Sequence, residues 1–351
     1  MPLFVMVAGL LGIASCTSEK GWVEAQAALT WDDVGVISTF GEVEQAGWLS
    51  LLRRPRDAVI HGEDVLILDA SPPWIRVFKR DGEFLEALVS VGEGPGEAVR
   101  PSSMATAGGD GFVLTDRLGV SRFNREGRLL AFSRRTAYVA MGAVEACSGR
   151  LFVVTRATLP EAAAVLGEIM PGGSLDTLLV FAPSRLNSRT HHTWFSHGDA
   201  SGLLVYTEEA GRPRLLRIDC DGEVLQEVTL DPLGNGQRAE MLQSGTIKVT
   251  AAEPPFPAGL ALVDGFMLWA VQEDDSTTSI TAYGSDGARR RVTIDGWYQL
   301  LDHGPQGDLL FGNSFSTRGT WGFIPSVVLV DGRQLLGHMR DIDQESTRED
   351  L

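Results

Sequence analysis

The chain has little of what most catalytic and nucleic-acid-binding proteins display. It holds three cysteines, six histidines and four tyrosines in 351 residues. Basic residues number 30 against 46 acidic ones, giving a formal net charge of -16. That excess of negative charge excludes a nucleic-acid phosphate backbone as a partner, because binding there runs on clustered Lys and Arg. None of the patterns G-x-S-x-G, H-E-x-x-H, C-x-x-C or G-x-x-x-x-G-K-[ST] occurs, so the common hydrolase, zinc-protease, thiol-redox and P-loop signatures are missing. Apart from the N-terminus, no long apolar run is present. What is abundant is glycine, 40 residues, and glycine-rich turns are what a chain of many short strands needs.

The opening residues, MPLFVMVAGLLGIASC, are apolar but short for a membrane span. They end in Ile13-Ala14-Ser15-Cys16. This segment resembles the lipobox of bacterial lipoproteins, although no Lys or Arg precedes the apolar run, as signal peptides normally require. The resemblance implies a signal peptide over 1–16, lipidation at Cys16, and an extracytoplasmic protein anchored to the bacterial cell envelope. Residues 17–30 then read as a tether, 31–340 as one folded domain and 341–351 as a polar tail. The remaining cysteines are Cys147 and Cys220. Export would permit a disulfide, but the repeat described next puts them in different blades at different depths. They are expected to be unpaired small core residues.

One pattern recurs six times: a Gly/Asp turn, an apolar strand, a polar connection, a second strand, and a turn often spelled Asp-Gly. The copies start at Gly62, Gly109, Ser148, Ser201, Asp264 and Gln306. The third runs through SGRLFVVTR, resumes at DTLLVFAPS, and carries an insertion from Ala157 to Leu175. Each closing turn is followed by a short run such as EFLEALVSV, and each opening turn is preceded by one such as RDAVI. Four strands per unit result. Closing glycines are 45 residues apart from Gly82 to Gly127 and again from Gly287 to Gly332, the length of one four-stranded blade. The pattern predicts an all-β, six-bladed β-propeller of antiparallel strands. The run Val34 to Phe40 is expected to pair into the last blade and close the ring.

The unit Val65-Leu66-Ile67-Leu68-Asp69, Ile75-Arg76-Val77-Phe78, Asp81-Gly82 and GEGPGEAVRP to Pro101 is similar to NHL-type six-bladed propellers. GEGPGE itself resembles a segment of bacterial propeller lipoproteins. The resemblance is strongest in blades one and two and implies a propeller with a central channel and a recognition face. It does not imply a particular reaction.

Candidate site residues follow from that layout. Arg54-Pro55 and Arg100-Pro101 fall just before innermost strands, at the channel mouth, where two guanidiniums can bind a carboxylate or phosphate or pair with glutamates such as Glu97. Trp74, Trp297 and Trp321 are expected on or near the same rim, for sugar or peptide recognition or for packing between blades. His191, His192 and His197 flank Trp194, and His192 and His197 are weak candidates for zinc. Glu273-Asp274-Asp275 could hold calcium but reads more simply as a solvated loop. Asp69 and Asp116 end equivalent strands and are expected to cap the following turns. No cofactor is predicted, with calcium or zinc the possible ions. The function expected is a monomeric binding module that recognises a protein or small ligand at the rim and channel mouth. A metal-dependent lyase or hydrolase at the channel is the alternative.

Overall fold

A computed structural model describes residues 28–41, 47–107, 111–116, 118–134, 139–156, 164–170, 174–181, 194–197, 202–209, 212–231, 239–241, 247–249, 255–274, 276–296, 298–304, 306–313 and 326–341. The strands group into six small antiparallel sheets set around a ring, a six-bladed β-propeller. Blade 1 runs outward through Pro55–His61, Asp64–Asp69, Ile75–Lys79 and Phe84–Leu88. Blade 2 uses Ser103–Ala107, Gly111–Thr115, Gly119–Asn124 and Leu129–Arg134. Blade 3 uses Val139–Ala146, Arg150–Arg156, Ala164–Ile169 and Leu175–Phe181. Blade 4 uses Trp194–His197, Gly202–Glu209, Arg212–Asp219 and Val224–Thr229.

Blade 5 comprises Phe256–Val263, Phe266–Gln272, Thr277–Tyr283 and Arg289–Asp295, with a fifth, two-residue strand Arg340–Asp341 on its outer edge. Blade 6 supplies Gln299–His303, Asp308–Asn313 and Ser326–Asp331. Its outermost strand is Val36–Phe40 from the N-terminus, paired antiparallel to Ser326–Asp331. The ring is therefore fastened as expected. The chain leaves blade 6 through the short helix Gly332–His338, whose cap Asp331 accepts from the amides of Arg333 and Gln334.

Blade 3 departs from the expectation. The segment taken as an insertion, Ala157 to Leu175, contains the third strand Ala164–Ile169, and the DTLLV run is the outermost strand. The tether is also shorter than expected, because Leu29 bridges Ile294 in parallel on blade 5 and Trp31 packs edge-on against Tyr298 at 4.5 Å.

The core lies between blades. Each of six apolar clusters joins two neighbouring sheets, for example Leu66, Leu68, Ile75 and Val77 of blade 1 with Phe112, Leu114 and Phe123 of blade 2. A four-stranded sheet is apolar on both faces here, so it has no stable state alone, and the closed ring covers both. Every innermost strand touches the innermost strands of both neighbours, and those of blades 4 and 6 approach within 8 Å, Cα to Cα, across the lumen.

Cys147 and Cys220 form a disulfide with Cα atoms 5.8 Å apart. The expectation of unpaired cysteines is wrong. The turn after the innermost strand of one blade meets the turn before the outermost strand of the next, and the two cysteines occupy those turns in blades 3 and 4. The same junction carries ion pairs elsewhere. Asp64 of blade 1 pairs with Arg125 of blade 2, Asp308 of blade 6 with Arg80 of blade 1, and Asp264 of blade 5 with Arg333 beyond blade 6's third strand.

Candidate functional site

The connections entering blades 1 and 2 form one wall of the channel mouth, and two aspartates organise them. Asp69 ends the second strand of blade 1. Its Oδ1 accepts from the Ser71 amide at 2.9 Å, closing the following turn. Its Oδ2 accepts from the Arg53 amide at 2.6 Å, and Oδ1 from the Arg54 amide at 3.3 Å. Asp116 repeats the device in blade 2: Oδ1 accepts from the amides of Leu118 and Gly119, and Oδ2 from Val99 at 2.8 Å. The expected turn-capping role holds, and each carboxylate also ties the incoming connection to the blade. Asp274 does the local half of this in blade 5, accepting from Ser276 and Thr277, and these bonds pull its pKa below the ordinary carboxylate value.

Beneath Asp69 lies Arg76, fully buried and 3.4 Å from the carboxylate. Its Nε donates to the Leu49 carbonyl at 2.9 Å and its Nη1 to Pro73 at 3.1 Å. One Asp–Arg pair thus anchors the connection from Leu49 to Arg54 from below. On that connection, residues Gly47 to Ser50 make a turn in which the Ser50 hydroxyl donates to the Gly47 carbonyl, and the turn presents Trp48, 58% exposed.

Four arginines stand on this wall: Arg53, Arg54, Arg56 and Arg100, all exposed. Arg56 occupies a bulge between Pro55 and Asp57, and donates to the Pro101 carbonyl at 3.0 Å. Partial desolvation of its guanidinium lowers its pKa, the charge of Arg54 lowers it further, Asp69 opposes, and Arg100 adds a smaller lowering. Arg100 has φ 54°, a backbone region that L-residues seldom occupy. These arginines share the connections with the carboxylates of Asp69 and Asp116.

The GEGPGE segment supports that wall and is not itself a phosphate cradle. Ser90–Val91 and Glu97–Ala98 pair in parallel across it. The Glu97 carboxylate turns back to accept from the Gly94 amide at 2.8 Å. Gly92 has φ 156°, a conformation L side chains rarely adopt, and a Cβ there would also displace the Glu97 carboxylate.

Deeper in the wall are two carboxyls on innermost strands. Asp57 Oδ2 accepts from the Met104 amide of blade 2 at 2.7 Å, and Oδ1 from Ala58 at 3.0 Å. Asp302 Oδ2 of blade 6 accepts from the Ile60 amide of blade 1 at 3.2 Å. Each therefore satisfies an amide on the lumen-side edge of the next blade's innermost strand. Desolvation pushes Asp57 up to about 8, with the Asp302 charge adding to it, and pushes Asp302 to about 7.

Of the residues chosen from sequence, Arg54 and Arg100 both lie within electrostatic reach of Arg56. Trp74 does not serve as an exposed rim aromatic: it is 6% exposed, packs between blades 1 and 2, and donates Nε1–H to the Ala98 carbonyl at 3.0 Å. His197 lies on the innermost strand of blade 4. Cys16, His191, His192, Asp275, Trp297 and Trp321 fall outside the described residues. Among the described residues, no group of three His, Cys, Asp or Glu side chains is placed to hold a metal ion, and Glu273 bonds to Ser279 and Arg291. Sequence reasoning missed Arg53 and Arg56, which flank Arg54-Pro55, and Trp48. It also missed Asp57 and Asp302, whose character comes from the neighbouring blade.

No family model matches the chain, and no curated protein matches it. Solved structures share its fold. A Bacteroides fragilis protein described as exported superimposes with a TM-score of 0.53 at 11% identity, over 87% of this chain and 96% of that one. A gluconolactonase from Xanthomonas campestris gives 0.52 at 12% identity, over 80% and 86%. The PQQ-bound aldose sugar dehydrogenase of Streptomyces coelicolor gives 0.52 at 12%, over 85% and 97%. At such identities the likeness is one of fold.

Proposed function

We propose that this protein is an exported, lipid-anchored propeller that binds an anionic ligand at the channel mouth of blades 1 and 2. One observation carries the reading: the charges of Arg54 and Arg100 both reach Arg56, on connections whose backbone is held by Asp69 at Arg53 and Arg54 and by Asp116 at Val99. Desolvation is the larger cause of Arg56's lowered pKa, and the repulsion from Arg54 and Arg100 that adds to it would be relieved by a bound anion. The disulfide supports export, because such bonds persist in oxidising compartments. The lipobox-like Ile13 to Cys16 supports the anchor, and the Bacteroides fragilis protein of the same fold is described as exported.

A second reading, an enzyme at the channel, rests on Asp57 and Asp302, whose pKa values of about 8 and 7 fall where general acids and bases work. Both carboxyls are engaged with backbone amides, so binding is the better supported function. Calorimetric titration of the folded domain with citrate and inorganic phosphate tests it. Binding should weaken roughly tenfold or more in Arg54→Ala and in Arg100→Ala, the worth of a charge-assisted hydrogen bond. Equal affinity in the parent and both variants would overturn it. The anchor is tested separately: Cys16→Ala should abolish lipid labelling and membrane fractionation.

A further inference from the structure

The end of the ring opposite the channel mouth holds a cavity at the seam where the ring closes. We infer that this cavity binds an aliphatic amine of the polyamine class, with its ammonium groups on Glu63 and Asp81 and its methylene chain on Ile37. The inference does not depend on the anion-binding reading, because the two sites use different residues at opposite ends of blade 1.

The cavity measures about 500 Å³, within the range of small-ligand sites. One wall is the ring-closing strand of blade 6. The other is formed by two turns of blade 1, between its first and second strands and between its third and fourth. The walls are fixed to one another. The Arg80 amide donates to the Glu63 carbonyl at 3.0 Å, which joins the two turns, and the Ser38 hydroxyl of the closing strand donates to the Arg80 carbonyl at 2.6 Å. Ile37 is the extra residue of a bulge between Val36 and Ser38. Bulges re-aim side chains, and Ile37 lines the cavity while staying 44% exposed.

The charges on the walls do not balance. Both cations are already matched, Arg80 by Asp308 and Lys79 by Glu83, and Asp64 is matched by Arg125. No side chain among the described residues engages the Glu63 carboxylate, and Asp81 spends one oxygen, Oδ1, on the Glu83 amide at 3.1 Å. Glu83 raises the pKa of Lys79, and Asp81 and Asp64 raise it further, so the field at this wall is negative. Two carboxylates left over beside an apolar side chain match an alkyl chain that carries ammonium groups. In a chain of net charge -16, such a ligand also gains from long-range attraction. A hard metal ion matches less well. Calcium takes roughly six to eight oxygen ligands, and among the described residues no three His, Cys, Asp or Glu side chains are placed to share an ion. A ligand that touches both walls clamps the closing strand to blade 1, so it should raise the stability of the ring by binding the folded form alone.

The experiment titrates the folded domain with spermidine, calcium and hexalysine. Spermidine should bind and raise the thermal midpoint. Glu63→Gln and Asp81→Asn should each weaken it roughly threefold to fivefold, the worth of a carboxylate open to water. Ile37→Thr, which keeps a β-branched residue in the strand, should also weaken it. Glu223→Gln removes the same charge from blade 4 and should leave spermidine binding unchanged. All four positions are exposed, so the variants are expected to fold, and unchanged thermal midpoints without ligand check this. Citrate binding should be indifferent to Glu63→Gln, so the anion reading and this inference fail separately. Equal weakening by Glu223→Gln would reduce the effect to diffuse attraction and overturn the site. Tighter binding of calcium or of hexalysine through Glu63 and Asp81 overturns the ligand class, and absence of spermidine binding removes the inference.

Discussion

At the residue scale, the carboxyls of Asp57 and Asp302 show how a propeller treats the open edges of its innermost strands. An innermost strand pairs on one side only, and its other edge faces the lumen. Asp302 covers the Ile60 amide and Asp57 the Met104 amide, each reaching to the following blade. The hydrogen bonds favour the charged form, but desolvation outweighs them, and both groups sit well above the ordinary carboxylate value. The consequence for stability has a definite sign. From about pH 4, where an unfolded Asp releases its proton, up to the folded values near 7 and 8, the native state holds protons that the unfolded chain has lost. Stability therefore falls as pH rises across that window. Thermal midpoints between pH 5 and 8.5 should decline, and Asp57→Asn should flatten the decline. At pH 5 the variant should be less stable than the parent, because its amide nitrogen cannot accept from one of the two amides now bound. A slope unchanged in Asp57→Asn and in Asp302→Asn would refute this assignment.

At the element scale, the turns carry the specificity of assembly. The Asp-Gly turns before outermost strands were plain in the sequence, and Gly82 and Gly222 adopt the positive φ that such turns require, 96° and 90°. Their partners were not plain. Arg80 and Arg125 precede the acidic residue and glycine of equivalent turns, and each reaches back to an aspartate at the start of the previous blade's second strand. Nothing within RDG or REG names Asp308 or Asp64 as partner; only stacking of the blades does. Strands with strong apolar runs, such as Val65 to Leu68, were likewise legible. The third strand of blade 3, AVLGEI, was hidden by the alanines and glycine around it, which weaken the β signal. The turn pairs are testable as couplings. Asp64 is almost wholly buried while Arg125 is about half exposed, so Arg125→Ala should cost about 1–2 kcal/mol, less than a fully buried pair. In a double-mutant cycle with Asp64→Ala, the two losses should fall short of additivity by about 0.5 kcal/mol or more. Additive losses by denaturant titration would show that the contact contributes nothing.

At the scale of the whole molecule, stability is a property of six junctions, and the weakest one governs. The apolar wedges between blades are continuous around the ring, and the fold itself was legible because six copies of one pattern leave few other ways to bury both faces of each sheet. The arginines at the mouth were half legible, Arg54 and Arg100 by repetition, and Trp48 not at all, since its presentation depends on Asp69 and Arg76 from elsewhere in blade 1. The disulfide was misjudged for the same reason: depth along a blade says nothing of which turns meet between blades. At the junction of blades 3 and 4 it stands where Asp64–Arg125 and Asp308–Arg80 stand elsewhere, and Arg150 of blade 3 faces Asp221 of blade 4 beside it at 3.5 Å, with the charges reversed. A covalent staple there closes a loop of 73 residues, which restricts the unfolded chain by an amount worth about 2–4 kcal/mol. For a domain of this size that corresponds to a fall of roughly 3–6 °C in Tm when the bond is removed, given the usual unfolding entropy per residue. The Cys147→Ser/Cys220→Ser double variant should show that fall in a thermal scan, and dithiothreitol should reproduce it in the parent without affecting the variant. Anion binding at blades 1 and 2 should survive in the variant, because Asp69, Arg76 and Asp116, which anchor the connections there, lie in blades 1 and 2 and not at that junction. A parent whose Tm ignores the reductant while free-thiol titration shows both cysteines reduced would remove the bond from the list of what holds the ring closed.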